Sequence, residues 1–233
     1  MNGYNVTFSL MPHTGKEKSL EEICKPDALN ILYKGLSIED IQASLILAID
    51  TLSDDVPKDV RNHLIVSQNL AIYGWFQWNF YTVSLFWSLT SIEMALRYKF
   101  LEKYKGDKLF LVKKNETKEV AADFNIFKEL RKRWRIQDDR NFDGSFKSLL
   151  NWARKNSILP HDTPVVLQEL SIAYNNRNVN TNQSSPLNIL VEEIPNFRNE
   201  LAHKRHDWVL LPNSAINGFN QAIEIINRLW PKK

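Results

Sequence analysis

The stretch between Pro57 and Gly106 contains no proline and a single glycine, Gly74. Apolar and aromatic residues are frequent throughout it, and proline and glycine are the residues that most often end a helix. We therefore expect one long helix or two helices in close succession up to about Tyr104. Gly74 then marks either a bend or a point of close packing.

Part of this stretch, residues 64–96, is apolar enough to suggest a membrane span. A bilayer core penalises polar side chains, and several interrupt the segment: Gln68, Asn69, Gln77, Asn79 and Glu93. The expectation is a buried helix of a soluble protein without membrane contact. The first residues lack the basic and apolar regions of a signal peptide, and Cys24 is the single cysteine, so we expect a cytoplasmic, reducing location.

The rest of the chain also shows mainly helical spacing of apolar residues. Ser37, with Asp40 three residues later, is a good N-cap, whereas residues 107–122 fit either a short strand or the start of a helix. Further helices are expected near 124–135, 145–156, 162–174, 186–203 and 213–230. The prediction is an all-α protein with at most a minor β element, divided into an irregular segment (1–36), an N-terminal helical extension (37–69) and a helical domain (70–233).

The net charge of +3 permits polyanion binding without requiring it. Basic residues are concentrated between Lys128 and Lys155. Arg131, Arg133 and Arg135 in this segment are candidates for phosphate contacts, with Trp134 stacking on a base. The alternative is a solvated basic face with one buried tryptophan.

The helix expected over 186–203 has a continuous apolar stripe, formed by Leu187, Leu190, Val191, Ile194, Phe197 and Leu201. Asn199 and His203 are four residues apart and point away from this stripe, whereas Arg198 lies at its margin, roughly 50° from its centre. Arg198 and His203 therefore diverge on an ideal helix. A bend at Pro195, or a second protomer bringing its own copy, would solve this problem.

The hexapeptide Arg198–His203, of sequence RNELAH, supplies a permanent cation and a group that titrates near neutrality. Such groups can cleave a phosphodiester without a metal, although an arginine and a histidine at this spacing also occur by chance. His203, His206 and Asp207 are possible metal ligands, but no supporting cluster is visible, so no metal is expected. Glu93, on an apolar helix, needs a partner if buried, which favours an ion pair with an arginine over general catalysis.

The hexapeptide on the penultimate helix, and the earlier segment Ser91–Arg97 (SIEMALR), resemble HEPN-domain ribonucleases, which are helical proteins of toxin and phage-defence systems. The resemblance covers about residues 70–232. It implies an HEPN-like helical bundle, a homodimer with a composite cleft, and no cofactor. It also implies cleavage of RNA by the 2′-hydroxyl, leaving a 2′,3′-cyclic phosphate and a 5′-hydroxyl.

In that interpretation His203 is the general acid or base, and Arg198 stabilises charge on the phosphoryl oxygens. Asn199 orients the imidazole or the phosphate, while Lys204, Arg205 and His206 add phosphate contacts. Because His203 points outward and Arg198 lies at the margin, we expect alanine at either position to abolish cleavage without lowering stability.

The sequence also departs from the family pattern. Some HEPN toxins carry a tyrosine two residues after the histidine, which a partner nucleotidyltransferase modifies, and here that residue is Arg205. An antitoxin or defence-system protein remains an expected partner. Many HEPN members have lost catalysis, so the alternatives are a silent dimerisation or partner-binding module and, less favoured, a plain nucleic-acid-binding domain.

Overall fold

The computed structural model describes residues 19–32, 36–159, 186–203 and 211–232, and at His203 it describes the backbone but not the side chain. The described chain is mostly helical with one small sheet. Its elements in order are α1 (Leu20–Ile23), α2 (Ala28–Leu32), α3 (Ile38–Asp50), α4 (Lys58–Tyr73), α5 (Phe80–Lys103), β1 (Lys108–Lys113), β2 (Glu116–Ala121), α6 (Asn125–Arg131), β3 (Arg135–Ile136), α7 (Phe146–Lys155), α8 (Pro186–His203) and α9 (Pro212–Leu229).

Helix α5 is the centre of the core, because α4, α7, α8 and α9 all pack against it. Leu85, Leu89, Ile92 and Leu96 are fully buried along its length. A helix covered on so many sides holds the polar groups it carries in fixed positions. Glu93 and Arg97 lie on this helix.

Small residues bring α4 and α5 close together. The Ser67 hydroxyl donates to the Ser84 carbonyl over 2.7 Å, and the Ser84 hydroxyl donates to the Ser67 carbonyl over 2.8 Å. Gly74 ends α4, and a Cβ at this position would lie 2.5 Å from the Tyr81 ring. The stretch is thus two helices in succession, and the close packing expected at Gly74 is confirmed.

The ambiguous segment 107–122 forms an antiparallel hairpin, β1 with β2, whose turn contains Lys114 at φ 54°. On its other edge β1 pairs with β3, with Val112 opposite Arg135. This pairing fixes the chain immediately after α6. The helix expected to reach Arg135 ends at Arg131 instead, since Arg133 adopts a left-handed φ of 70° that no helix continues.

The irregular N-terminal segment also differs from expectation in its described part, which contains α1 and α2. Asn30 is buried, and its side-chain amide donates to the carbonyls of Gly74 and Trp75 over 2.9 and 2.8 Å. The Tyr81 hydroxyl donates to the Asn30 side chain over 3.2 Å. Asp27, whose amide donates to the Trp75 carbonyl over 2.8 Å, and Asn30 therefore hold this part of the chain against the α4–α5 connection, whereas α1 has no buried residue.

The helix starts expected at Ser37 and Ser145 are confirmed. The Ser37 side chain accepts from the Asp40 amide in a capping box, and the Ser145 side chain accepts from the Ser148 amide. The helix expected over 162–174 lies outside the described residues. Among the described helices, none combines the length and apolar character needed to cross a bilayer.

Candidate functional site

The apolar stripe of α8 determines how the motif residues are presented. Val191, Ile194 and Phe197 are buried, as their spacing predicts, and α8 packs on α5 and α7. Arg198 is half-buried at the edge of this contact, and Asn199 is exposed. Exposure therefore increases from the apolar stripe through Arg198 to Asn199, as the positions of these residues around an ideal helix predict.

Arg198 forms an ion pair with Glu93 on the central helix. Its Nη2 lies 2.8 Å from Glu93 Oε2, and Arg97 Nη2 lies 2.6 Å from the other oxygen, Oε1. The Glu93 carboxylate, only 7% exposed, therefore accepts one guanidinium on each oxygen. The arginine partner expected for Glu93 is confirmed, and a second arginine accompanies it.

Aromatic rings hold both guanidinium groups in place. The Arg198 guanidinium lies 5.6 Å from the Phe86 ring centre, and that of Arg97 lies 4.8 Å from the Phe127 ring centre. The buried Nε atoms of both arginines have no hydrogen-bond partner among the described residues. The two guanidinium groups are thus fixed beside each other, and both retain N–H donors that are not used by the described residues.

Asn199 contacts Arg198 directly. Arg198 Nη1 donates to the Asn199 side-chain oxygen over 3.1 Å. The sequence placed Asn199 on the face of His203, and the structure adds that its amide oxygen reaches the neighbouring arginine. Asn199 can therefore orient Arg198 as well as a bound group.

These residues line a cleft of about 460 Å³ that also contains the basic segment after α6. Its described lining includes six cationic side chains and two acidic ones, Glu93 and Asp143, an excess of four positive charges. The cationic residues are Arg97, Arg131, Arg133, Arg135, Lys147 and Arg198. The net charge of the entire chain is only +3, so positive charge is concentrated in this cleft.

The cleft therefore unites two candidate sets that the sequence suggested separately. Arg198 and Asn199 come from α8, whereas Arg131, Arg133 and Arg135 come from the end of α6, the turn after it and β3, and all five line the cleft. Sequence reasoning missed Arg97 and Lys147 as members. Arg97 could have been found from its spacing, because it lies four residues after Glu93 on one helix and can pair with it.

The turn into α7 also lines the cleft. Gly144 has φ 71°, and a Cβ there would meet the Leu130 and Phe127 side chains at 3.0 and 3.1 Å. Burial raises the pKa of Asp143, but hydrogen bonds from Ser145 and Ser148 and the charge of Arg135 outweigh it, so the pKa lies below its usual value. Asp143 therefore stays ionised and holds the turn.

Trp134, the candidate for base stacking, contacts a lysine side chain. The ammonium group of Lys118 lies 4.3 Å from the centre of its ring, and the side chain packs partly buried against the core. One face of the indole is thus occupied by a cation–π contact. Trp134 is thus half-buried, neither the fully buried tryptophan of the alternative interpretation nor a ring with both faces open to a base.

The remaining predicted site residues lie outside what the structure describes. They are the His203 side chain and residues Lys204, Arg205 and His206, together with Asp207 of the metal alternative. In the described ranges, no group of three or more histidine, cysteine, aspartate or glutamate side chains is placed to hold a metal ion. Comparisons with family models, with curated proteins and with solved structures find no match to this chain.

Proposed function

We propose that the protein is an HEPN-like, metal-independent endoribonuclease of a toxin or phage-defence system. The observation that supports this most is the placement of Arg198. It lies beside a second arginine on a buried carboxylate, in a cleft whose described lining carries an excess of four positive charges. A phosphodiester backbone is the ligand that best matches such a surface.

In the proposed reaction the 2′-hydroxyl of RNA attacks the adjacent phosphorus, and the bond to the 5′-oxygen of the next nucleotide breaks. His203 takes the proton from the nucleophile or gives one to the leaving oxygen, since its ordinary pKa is near neutrality. Arg198 donates to the phosphoryl oxygens as negative charge develops on them. The products are a 2′,3′-cyclic phosphate and a 5′-hydroxyl.

Glu93 and Asn199 support Arg198 in this proposal. A long arginine side chain loses considerable freedom when it is fixed for catalysis, and its two contacts with these residues are already made in the free protein. The guanidinium is thus oriented before the substrate arrives. Glu93 is a positioning residue and not a catalytic one.

A homodimer is part of the same proposal. Arg198 and His203 diverge on an ideal α8, so one helix presents them poorly to one phosphate. Two α8 helices facing each other would let Arg198 of one protomer act with His203 of the other. An antitoxin or another defence protein would then control the enzyme by covering this cleft.

The test is a cleavage assay on mixed-sequence RNA in the presence of EDTA. Wild type should produce fragments with cyclic-phosphate ends, and RNA methylated at the 2′-oxygens should resist. His203→Ala should lose about 10²- to 10⁴-fold in rate, the usual contribution of a general acid or base. The Lys105→Ala variant should cleave like wild type, because Lys105 is exposed and lines a different cleft.

Two results would overturn the proposed mechanism. One is a requirement for a divalent metal, and the other is undiminished cleavage by His203→Ala. Full absence of cleavage by the wild type, in the dimeric state, would favour the silent binding module instead.

A further inference from the structure

We infer that Arg131, Arg133 and Arg135 form a second phosphate subsite, separate from Arg198, that holds a neighbouring phosphodiester of a single RNA strand. That the bound strand is RNA rests on the proposed function. The subsite adds to the same cleft a binding position that is built from the end of α6 and β3 instead of α8. Arg131, Arg133 and Arg135 together form the α6–β3 subsite.

The charge of the α6–β3 subsite is not neutralised by the acids around it. Arg131 and Arg133 are exposed and form no ion pair with a described residue. Glu129, the acid nearest in sequence, is already paired with Lys118 and Lys132, and these two hydrogen bonds lower its pKa to about 2. Arg131 and Arg133 are therefore available to an external anion, whereas Arg135 is half-buried and its charge also acts on Asp143.

The backbone at Arg133 supports a role for its side chain. Arg133 has φ 70° immediately after α6, a conformation in which glycine or asparagine is far more common at the end of a helix. The turn is well determined, because the Lys132 and Arg133 amides donate to the carbonyls of Glu129 and Leu130 over 2.8 and 3.0 Å. A strained arginine that exposes its charge in a cleft points to function.

The subsite is also held on a rigid frame. Arg135 lies on β3, which pairs with β1, and its Nη1 donates to the Trp134 carbonyl over 2.8 Å. Arginines presented from a fixed turn and a fixed strand bind phosphate with little loss of conformational freedom. This distinguishes them from a mobile basic tail.

The chemical groups of the α6–β3 subsite indicate which class of ligand it binds. Guanidinium groups bind phosphate oxygens in a forked geometry, and phosphate contacts carry no sequence information. The ring of Trp134 already has the ammonium groups of Lys118 and Lys113 at 4.3 and 5.9 Å from its centre, so these cations compete with a base for stacking. We therefore expect this subsite to bind the backbone of a strand irrespective of its bases.

The experiment measures binding without cleavage. A fluorescent RNA oligonucleotide, fully methylated at the 2′-oxygens, is titrated with the protein at several salt concentrations. The informative variant is Arg133→Gly, because glycine removes the charge and relieves the positive φ. We expect unchanged or higher thermal stability, several-fold weaker binding, and a fall of about 0.7 in the steepness of log affinity against log salt, the value for one phosphate contact on a single strand.

Lys105→Ala is the matched control, since it removes the same charge from an exposed site outside this cleft, and Arg133→Lys should retain most of the binding. Wild-type affinity and salt dependence in Arg133→Gly would overturn the α6–β3 subsite, even if the protein cleaves RNA. Binding that depends on Arg133 in a protein without cleavage would sustain the subsite and refute the proposed enzyme. The two proposals can thus fail independently.

Discussion

Arg198 of α8 donates to Glu93 of α5 over 2.8 Å, and this contact adds a buried ion pair to the apolar packing of the motif helix on the central helix of the core. Glu93 is buried, and its other oxygen is held by Arg97. A buried carboxylate is stable only while it is paired and hydrogen-bonded. The contact therefore has a structural consequence as well as the proposed catalytic one.

Arg198→Ala should lower the free energy of unfolding by about 1–2 kcal/mol. This is less than the roughly 3–5 kcal/mol for breaking a fully buried pair, because Arg97 still pairs with Glu93 and Arg198 is partly exposed. The expectation from the sequence, that alanine here leaves stability unchanged, did not include this buried partner. Urea unfolding followed by circular dichroism measures the change.

A double-mutant cycle isolates the pair. Arg198→Ala combined with Glu93→Gln should cost less than the sum of the two single changes, because both remove the same interaction. Strictly additive losses would show that the contact contributes nothing to stability. Lys108→Ala, which breaks an exposed ion pair with Glu119 between β1 and β2, is the control and should cost well under 1 kcal/mol.

Glu93→Gln should separate binding from catalysis. Removing the negative charge from the cleft should leave the KM for RNA unchanged or lower it, because a repulsive charge is gone. The kcat should fall by roughly 10- to 100-fold, since Arg198 loses its charged anchor and small misplacements of a catalytic group are costly. Steady-state kinetics on a short RNA would show this. An unchanged kcat, or a rise in KM as large as the fall in kcat, would contradict the positioning role.

The dimer prediction has a direct and a functional test. Light scattering at micromolar concentration should give twice the 27.2 kDa chain mass. If each centre combines Arg198 of one protomer with His203 of the other, a mixture of the inactive variants Arg198→Ala and His203→Ala should regain part of the activity after refolding together. A strict monomer, or a dimer without any such recovery, would refute the composite centre.

Local features of the fold were predictable from the sequence because they depend on neighbouring residues. The capping serines Ser37 and Ser145 and the apolar stripe of α8 are of this kind, whereas the sequence left open whether the chain breaks at Gly74. The hairpin over 107–122 was ambiguous, since Leu109–Val112 is too short an apolar run to distinguish a strand from a helix. Its partner strand β3 is only two residues long and depends on pairing with β1.

The candidate site was predictable in its parts but not as a whole. The sequence indicated Arg198 and the arginines after α6, yet their meeting depends on α7 and α8 packing against α5. No local spacing carries that information, because the two sets are far apart along the chain. Lys147 was missed for the same reason, since it becomes part of the cleft only through the position of α7.

His63 provides a prediction about pH that is independent of the proposed site. Its ring lies 4.5 Å from that of Trp87, and burial lowers its pKa below the usual value of about 6.5, with Asp59 opposing part of the shift. The unfolded chain then binds the proton more tightly than the folded one, so the contribution of His63 to stability is complete above about pH 6.5 and decreases as the pH falls below it. His63→Phe keeps a ring beside Trp87 and removes the titration, so the difference in unfolding free energy between about pH 7 and about pH 5.5 should be smaller in this variant. An NMR titration that places the imidazole pKa at or above 6.5 would contradict the argument.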